Sequence, residues 1–127
     1  MAKEGGFIKP EEVLDNLDIR EGMKVADFGS GSGYFTIPLA KRAGKRGSVY
    51  AIDVQESALE AVRGRARLFF VFNIEAIRAN LEKESGSTLK DKSLYMVVLA
   101  NVLFQSSAKD AMLKEAKRVI NKNGKIV

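Results

Sequence analysis

An α/β domain built on a parallel sheet is predicted by three features. Short apolar runs alternate with segments of helical periodicity, one run opens into a glycine-rich turn, and no repeat or linker breaks the series. The 127 residues, 46% of them hydrophobic, supply the core of one domain over 1–127 and too little for two. Lys9-Pro10 opens a short helix, because Pro suits a first turn, and Val13, Leu14 and Leu17 give it an apolar face. Residues 24–28 form the first strand. A helix then runs from Ser32 or Gly33 to about Arg42, with Phe35, Leu39 and Ala40 inward and Gly44 as its stop. Residues 48–52 make the second strand. Ser57 to about Phe70 makes a helix on Leu59, Ala61, Val62 and Ala66, and Ile74–Ala79 the third strand. After the polar loop at Ser85-Gly86-Ser87, the uninterrupted run from Leu94 to Ala100 reads as a central buried strand. Residues 107–121 form an amphipathic helix on Ala111, Met112, Ala116, Val119 and Ile120. Asn123-Gly124 ends it, and Lys125-Ile126-Val127 begins a fifth strand.

Composition narrows the function. No run of about 18 apolar residues could cross a membrane, and Met1-Ala2-Lys3-Glu4-Gly5-Gly6 lacks the pattern of a signal peptide. Cys and His are both absent, which excludes disulfides, thiolate catalysis, Cys or His metal sites and the commonest neutral-pH base. A cytoplasmic, metal-independent protein fits these facts most simply. The net charge of +5 favours an anionic partner. The cations cluster at Lys41, Arg42, Lys45 and Arg46, at Arg63, Arg65 and Arg67, and at Lys114, Lys117, Arg118, Lys122 and Lys125. They suit RNA, or else are solvated faces that complement helix C-termini.

The chemistry concentrates in Val25-Ala26-Asp27-Phe28-Gly29-Ser30-Gly31-Ser32-Gly33-Tyr34. A strand that enters a glycine turn just before a helix lets a ligand approach main-chain N–H groups without Cβ interference. The dinucleotide spacing G-x-G-x-x-G would need Gly at position 34, where Tyr34 stands. About 20 residues past the glycines, the apolar run Val49–Ile52 ends in Asp53, where a carboxylate can accept both ribose hydroxyls; the plainer reading of Asp53 is a helix N-cap.

The Asp27-x-Gly29-x-Gly31-x-Gly33 series closely resembles the first motif of the class I S-adenosylmethionine-dependent methyltransferases, and the resemblance runs through all 127 residues. It implies a Rossmann-like sheet of order 3-2-1-4-5 and S-adenosylmethionine as cofactor. It further implies that Gly29, Gly31 and Gly33, with Ser30 and Tyr34, admit the cofactor's backbone, and that Asp53 and Val54 hold the ribose. Asn80 and Leu81, where such enzymes commonly place Asp, would face the adenine; Asp27 would anchor the methionine amino group or the glycine loop. Ala100 and Asn101 would line the methionine end, with Asn101 at the substrate mouth. The small methyltransferase-domain group, quinone-biosynthesis-like enzymes among it, is the nearest in flavour. A sulfonium methyl is already electrophilic, so alignment matters more than a base, and no catalytic base is named. Lack of an Asn-Pro-Pro-Tyr-like series at Asn101-Val102-Leu103-Phe104 argues against exocyclic-amine base methylation. RNA, small molecules and protein side chains stay open as acceptors, with RNA slightly favoured by charge. The rival reading is a cofactor- and RNA-binding protein without catalysis.

Three departures from the family stand out. The final antiparallel hairpin is missing, so strand five is expected to be an open edge, in a shortened form or in a minimal member that pairs with itself. Leu68-Phe69-Phe70-Val71-Phe72 is apolar where a polar turn is usual, and either packs under the sheet or forms a patch. Tyr95 replaces a frequent Asp. A homodimer is expected through the Phe69–Phe72 segment or the strand-five edge.

Overall fold

In a computed structural model, residues 3–4, 7–99 and 106–127 are described, side chains excepted at 3–4, 7–8 and 106–108. A two-stranded antiparallel pair, β1 (Lys3–Glu4) and β2 (Phe7–Ile8), precedes the main sheet and has no counterpart in the sequence reading. Then follow α1 (Pro10–Asp15), β3 (Lys24–Phe28), α2 (Thr36–Ala43), β4 (Ser48–Asp53), α3 (Glu56–Leu68), β5 (Ile74–Arg78), β6 (Leu94–Val98), α4 (Ser106–Val119) and β7 (Ile120–Ile126). The sheet order is β5-β4-β3-β6-β7 with every pairing parallel, which is the expected 3-2-1-4-5 arrangement. Alternation along the strands splits the core into two layers. Val25, Val49, Met96 and Val98 meet Leu14, Phe35 and Leu39 on the α1–α2 side. Ala26, Phe28, Ile52 and Val97 meet Ala116 and Val119 of α4 on the other.

Several boundaries differ from the sequence reading by a residue or two, as at α3 and β5, and two differences have a clear physical cause. Helix α2 starts at Thr36 rather than at Ser32 or Gly33, because Gly29, Gly31 and Gly33 take φ of +73°, +57° and +97° and carry the chain through turns first. Helix α4 ends at Val119, and Ile120 already pairs with Leu94. The next contacts are Met96 with Lys125 and Val97 with Ile126, so residues 121–124 form an excursion within the edge strand. Asn121 shapes it, its Oδ1 accepting the Asn123 N–H at 2.9 Å.

The loop from β5 to β6 is fastened to α4 by a buried charge network. Glu115, 3% exposed, accepts the Ser87 N–H at 3.0 Å and Oγ–H at 2.5 Å, and receives Arg118 on both oxygens at 2.7 and 2.6 Å. Arg118 also donates to Asp91 and to the Leu89 carbonyl. Burial alone would raise the Glu115 carboxyl, but the Arg118 and Ser87 bonds outweigh it and hold it below its usual range.

Candidate functional site

The carboxyl ends of β3, β4 and β5 enclose a groove of about 140 Å³ lined by Gly29, Asp53, Val54, Ala79, Asn80, Leu81, Glu82 and Met112. This is the crevice where open parallel sheets bind ligands, beside the reversal of strand order at β3. Five of the sequence-predicted residues therefore meet in one place. Ala79, Glu82 and Met112 join them unforeseen. Met112 was expected only as a core residue of its helix. Its Cε would lie 3.9 Å from a Cβ at Gly29, so the groove is narrow there because Met112 reaches across it.

The glycine loop works differently from its sequence expectation. The Gly29 and Ser30 N–H groups both donate to the Ile52 carbonyl, at 2.8 and 3.0 Å, and the Gly33 N–H donates to the Ser30 carbonyl at 3.2 Å. The Gly31 N–H donates to Asp53 Oδ2 at 3.0 Å. All four groups are satisfied within the chain, so the loop offers a ligand a surface without side chains rather than a nest of donors. Gly33 serves packing too: a Cβ there would come within 3.2 Å of Val62 on α3. Ser30 is fully buried, and Tyr34 is exposed with its ring edge-on to Phe35 at 5.8 Å. Ser30, Gly31, Gly33 and Tyr34 build the loop but do not line the groove. Ala100 and Asn101 lie outside the described residues.

Asp53 is not the N-cap of α3, which is Gln55; besides the Gly31 N–H it accepts the Gln55 N–H at 2.9 Å, two residues ahead of the helix. Each oxygen keeps a second lone pair, so ribose hydroxyls can still be accepted. Asn80 is exposed and its Oδ1 accepts the Glu82 N–H at 2.9 Å, which leaves the amide nitrogen as its donor end. This tight turn depends on Gly86, where a Cβ would fall 1.9 Å from the Asn80 carbonyl oxygen.

Asp27 sits behind the loop. Strand alternation turns it toward α2, where its Oδ2 accepts the Thr36 hydroxyl at 2.8 Å. Its Oδ1 is buried with no hydrogen-bond partner. Burial pushes the Asp27 carboxyl up to about 6, against the Thr36 bond and with help from the Asp53 charge. An orphaned buried carboxylate oxygen is costly unless a donor or cation reaches it. Thr36 was missed because nothing in the spacing Asp27-x₈-Thr36 announces a partner.

These residues fit S-adenosylmethionine. Ala79, Leu81 and Met112 offer apolar contact for a flat ring. Asp53 supplies acceptors, Asn80 a donor, and Asp27 an unmatched acceptor for a cationic group. The groove's volume suits one end of such a molecule and not all of it.

Comparison with known proteins agrees. The family described as Methyltransferase domain matches residues 19–127. The ubiquinone/menaquinone biosynthesis C-methyltransferase UbiE of Haemophilus ducreyi is 31% identical over 116 residues, covering 91% of this chain and 44% of that protein. The chain thus spans less than half the length of the curated relatives it matches. Among solved structures, a SAM-dependent methyltransferase from Aquifex aeolicus aligns with TM-score 0.76 and 32% identity over 88% of this chain and 58% of that one. An arsenic(III) S-adenosylmethionine methyltransferase from Chlamydomonas reinhardtii aligns with TM-score 0.75 and 30% identity, covering 85% and 38%. With its motif, its sheet order and its groove in agreement with these matches, the chain belongs to the class I S-adenosylmethionine-dependent methyltransferase-domain family.

Proposed function

We propose that this chain binds S-adenosylmethionine and transfers its methyl group to a small organic acceptor. The observation that carries the reading is the groove, which gathers Gly29, Asp53, Asn80 and Leu81 at the carboxyl end of the sheet. When bound, the cofactor supplies an electrophilic methyl on a sulfonium. The chain's residues then bind and orient. Leu81 and Met112 sandwich the ring, and Asn80 reads it through its amide donor. Asp53 takes the ribose while holding the Gly31 N–H, so ligand and loop share one carboxylate. Asp27, buried behind the glycine loop with Oδ1 unpartnered, would draw the cofactor's amino group. Ala100 and Asn101 are proposed for the methionine end and the acceptor mouth.

The acceptor class rests on the relatives, which are named for C-methylation in quinone biosynthesis. RNA is the weaker choice. Among the described residues Arg42, Arg63 and Arg118 are engaged by acidic neighbours while other cations of the same clusters are not, so the relatives' names, and not the charge, rank RNA second. Titration calorimetry with S-adenosylmethionine tests the cofactor: a folded sample that shows no saturable heat at millimolar ligand sinks the proposal. Transfer of a labelled methyl group to quinol-type acceptors, to arsenite or to transfer RNA then separates the acceptors. Binding without transfer to any would leave the cofactor-binding rival. Gly29→Val should weaken cofactor binding about tenfold or more, because the branched side chain enters the space facing Met112 at a residue with φ of +73°.

A further inference from the structure

The pole opposite the groove carries an exposed aromatic platform. There, at the amino ends of the strands, the last turns of α2 and α3 converge on residues 69–73, which lead into β5. Phe70 is 79% exposed and Phe72 85%, with Leu68 and Phe69 exposed beside them. Looseness does not explain this. Phe69 and Phe70 donate their N–H groups to the Arg65 and Arg67 carbonyls, and Val71 donates to Ala66 at 2.8 Å. Asn73 Nδ2 donates to both the Ala40 and Gly44 carbonyls at 2.9 Å. Val71 turns inward to the core while Phe70 holds φ of +55°, so the backbone fixes the outward course of its neighbours.

The charge around the rings is mainly positive, although the Glu21 carboxyl lies against Gly44 and Glu75 follows in β5. Residues 36–52 and 61–74 contain Lys41, Arg42, Lys45, Arg46, Arg63, Arg65 and Arg67 and no Asp or Glu. Arg42 and Arg63 are paired with acids from elsewhere. Among the described residues the other five make no salt bridge, and all are exposed. Lys41 Nζ lies 5.0 Å from the Phe69 ring centre, and Phe69, Phe70 and Phe72 share the lining of a depression of about 520 Å³ with Lys41, Lys45 and Asn73.

We propose that this pole docks on a bilayer containing anionic phospholipid. Phe70, Phe72 and Leu68 enter the boundary of headgroups and acyl chains, and the lysines and arginines meet lipid phosphates. A second copy fits less well, because a two-fold contact would press these cations, which outnumber the acids beside them, against their equivalents. Docking leaves the groove facing water at the far end of the sheet, so the proposal is independent of methyl transfer.

Sedimentation with vesicles tests it. The chain should bind vesicles of phosphatidylcholine with admixed phosphatidylglycerol at low salt, release from them as salt rises, and ignore phosphatidylcholine alone. Lys41→Gln with Lys45→Gln should weaken binding about tenfold or more. Phe70→Asn with Phe72→Ser should do likewise, Asn being chosen because it tolerates left-handed backbone. Both pairs should keep the parent's thermal midpoint and cofactor affinity. Failure to bind the anionic vesicles, or binding indifferent to both pairs, overturns the proposal. So does a dimer by light scattering that Phe70→Asn abolishes, which would assign the face to a second copy.

Discussion

The charge of Asp27 bears on folding and, in the function proposed, on cofactor binding. Its folded pKa of about 6 stands above the ordinary 3.8, so the folded state holds the proton more tightly. Its contribution to stability is therefore complete below about pH 4 and is lost as pH rises through 6, at a cost of about 3 kcal/mol by neutrality. Asp27→Asn should remove that slope and raise neutral-pH stability of the ligand-free chain by up to that amount, measurable by urea titration at pH 4 and pH 7. In the parent, cofactor affinity should fall as pH drops below about 6, because the protonated carboxyl no longer draws a cation. An affinity flat across that range would show that Asp27 serves the loop alone. Gly86→Ala tests the turn: a Cβ 1.9 Å from a backbone carbonyl cannot be absorbed by a rotamer. It should destabilise the chain by about 2 kcal/mol and weaken cofactor binding, both readable from thermal shifts with and without ligand.

At the scale of elements, helix α4 and the β5–β6 loop form the two walls of the groove, one carrying Met112 and the other Asn80, Leu81 and Glu82. Glu115 and Arg118 bind these walls together. Glu115→Ala should leave Arg118 half-paired and the Ser87 donors bare, costing about 2 kcal/mol and roughly 5–10 °C in Tm. Glu115→Gln, which keeps the shape, should cost less. Elements with strong periodicity were legible in the sequence: β3 over residues 24–28 was read to its true bounds, and Gly44 does close α2 with φ of +72°. The start of α2 was not, since Tyr34 and Phe35 are apolar enough to continue a helical pattern while the glycines before them dictate turns. The end of α4 was hidden because Ile120 suits both a helix face and a strand. At the site, Asp53 and Asn80 were legible as strand-end polar residues. Met112 and Thr36 were not, because their roles come from helices that approach across many residues.

For the whole molecule, β7 forms one edge of the five-stranded sheet. Among the described residues no helix is long and apolar enough to cross a membrane.

The internal hydrogen bonds of the glycine loop also bear on what the site turns away. Adenine nucleotides share the ring and ribose proposed for the groove, and cells hold ATP in abundance. A triphosphate entering beside Gly29 would find the N–H groups of residues 29, 30, 31 and 33 already given to Ile52, Asp53 and Ser30, and two carboxylates close by. Selection against the commonest competitor thus follows from donors withheld, and millimolar ATP should leave S-adenosylmethionine binding unchanged.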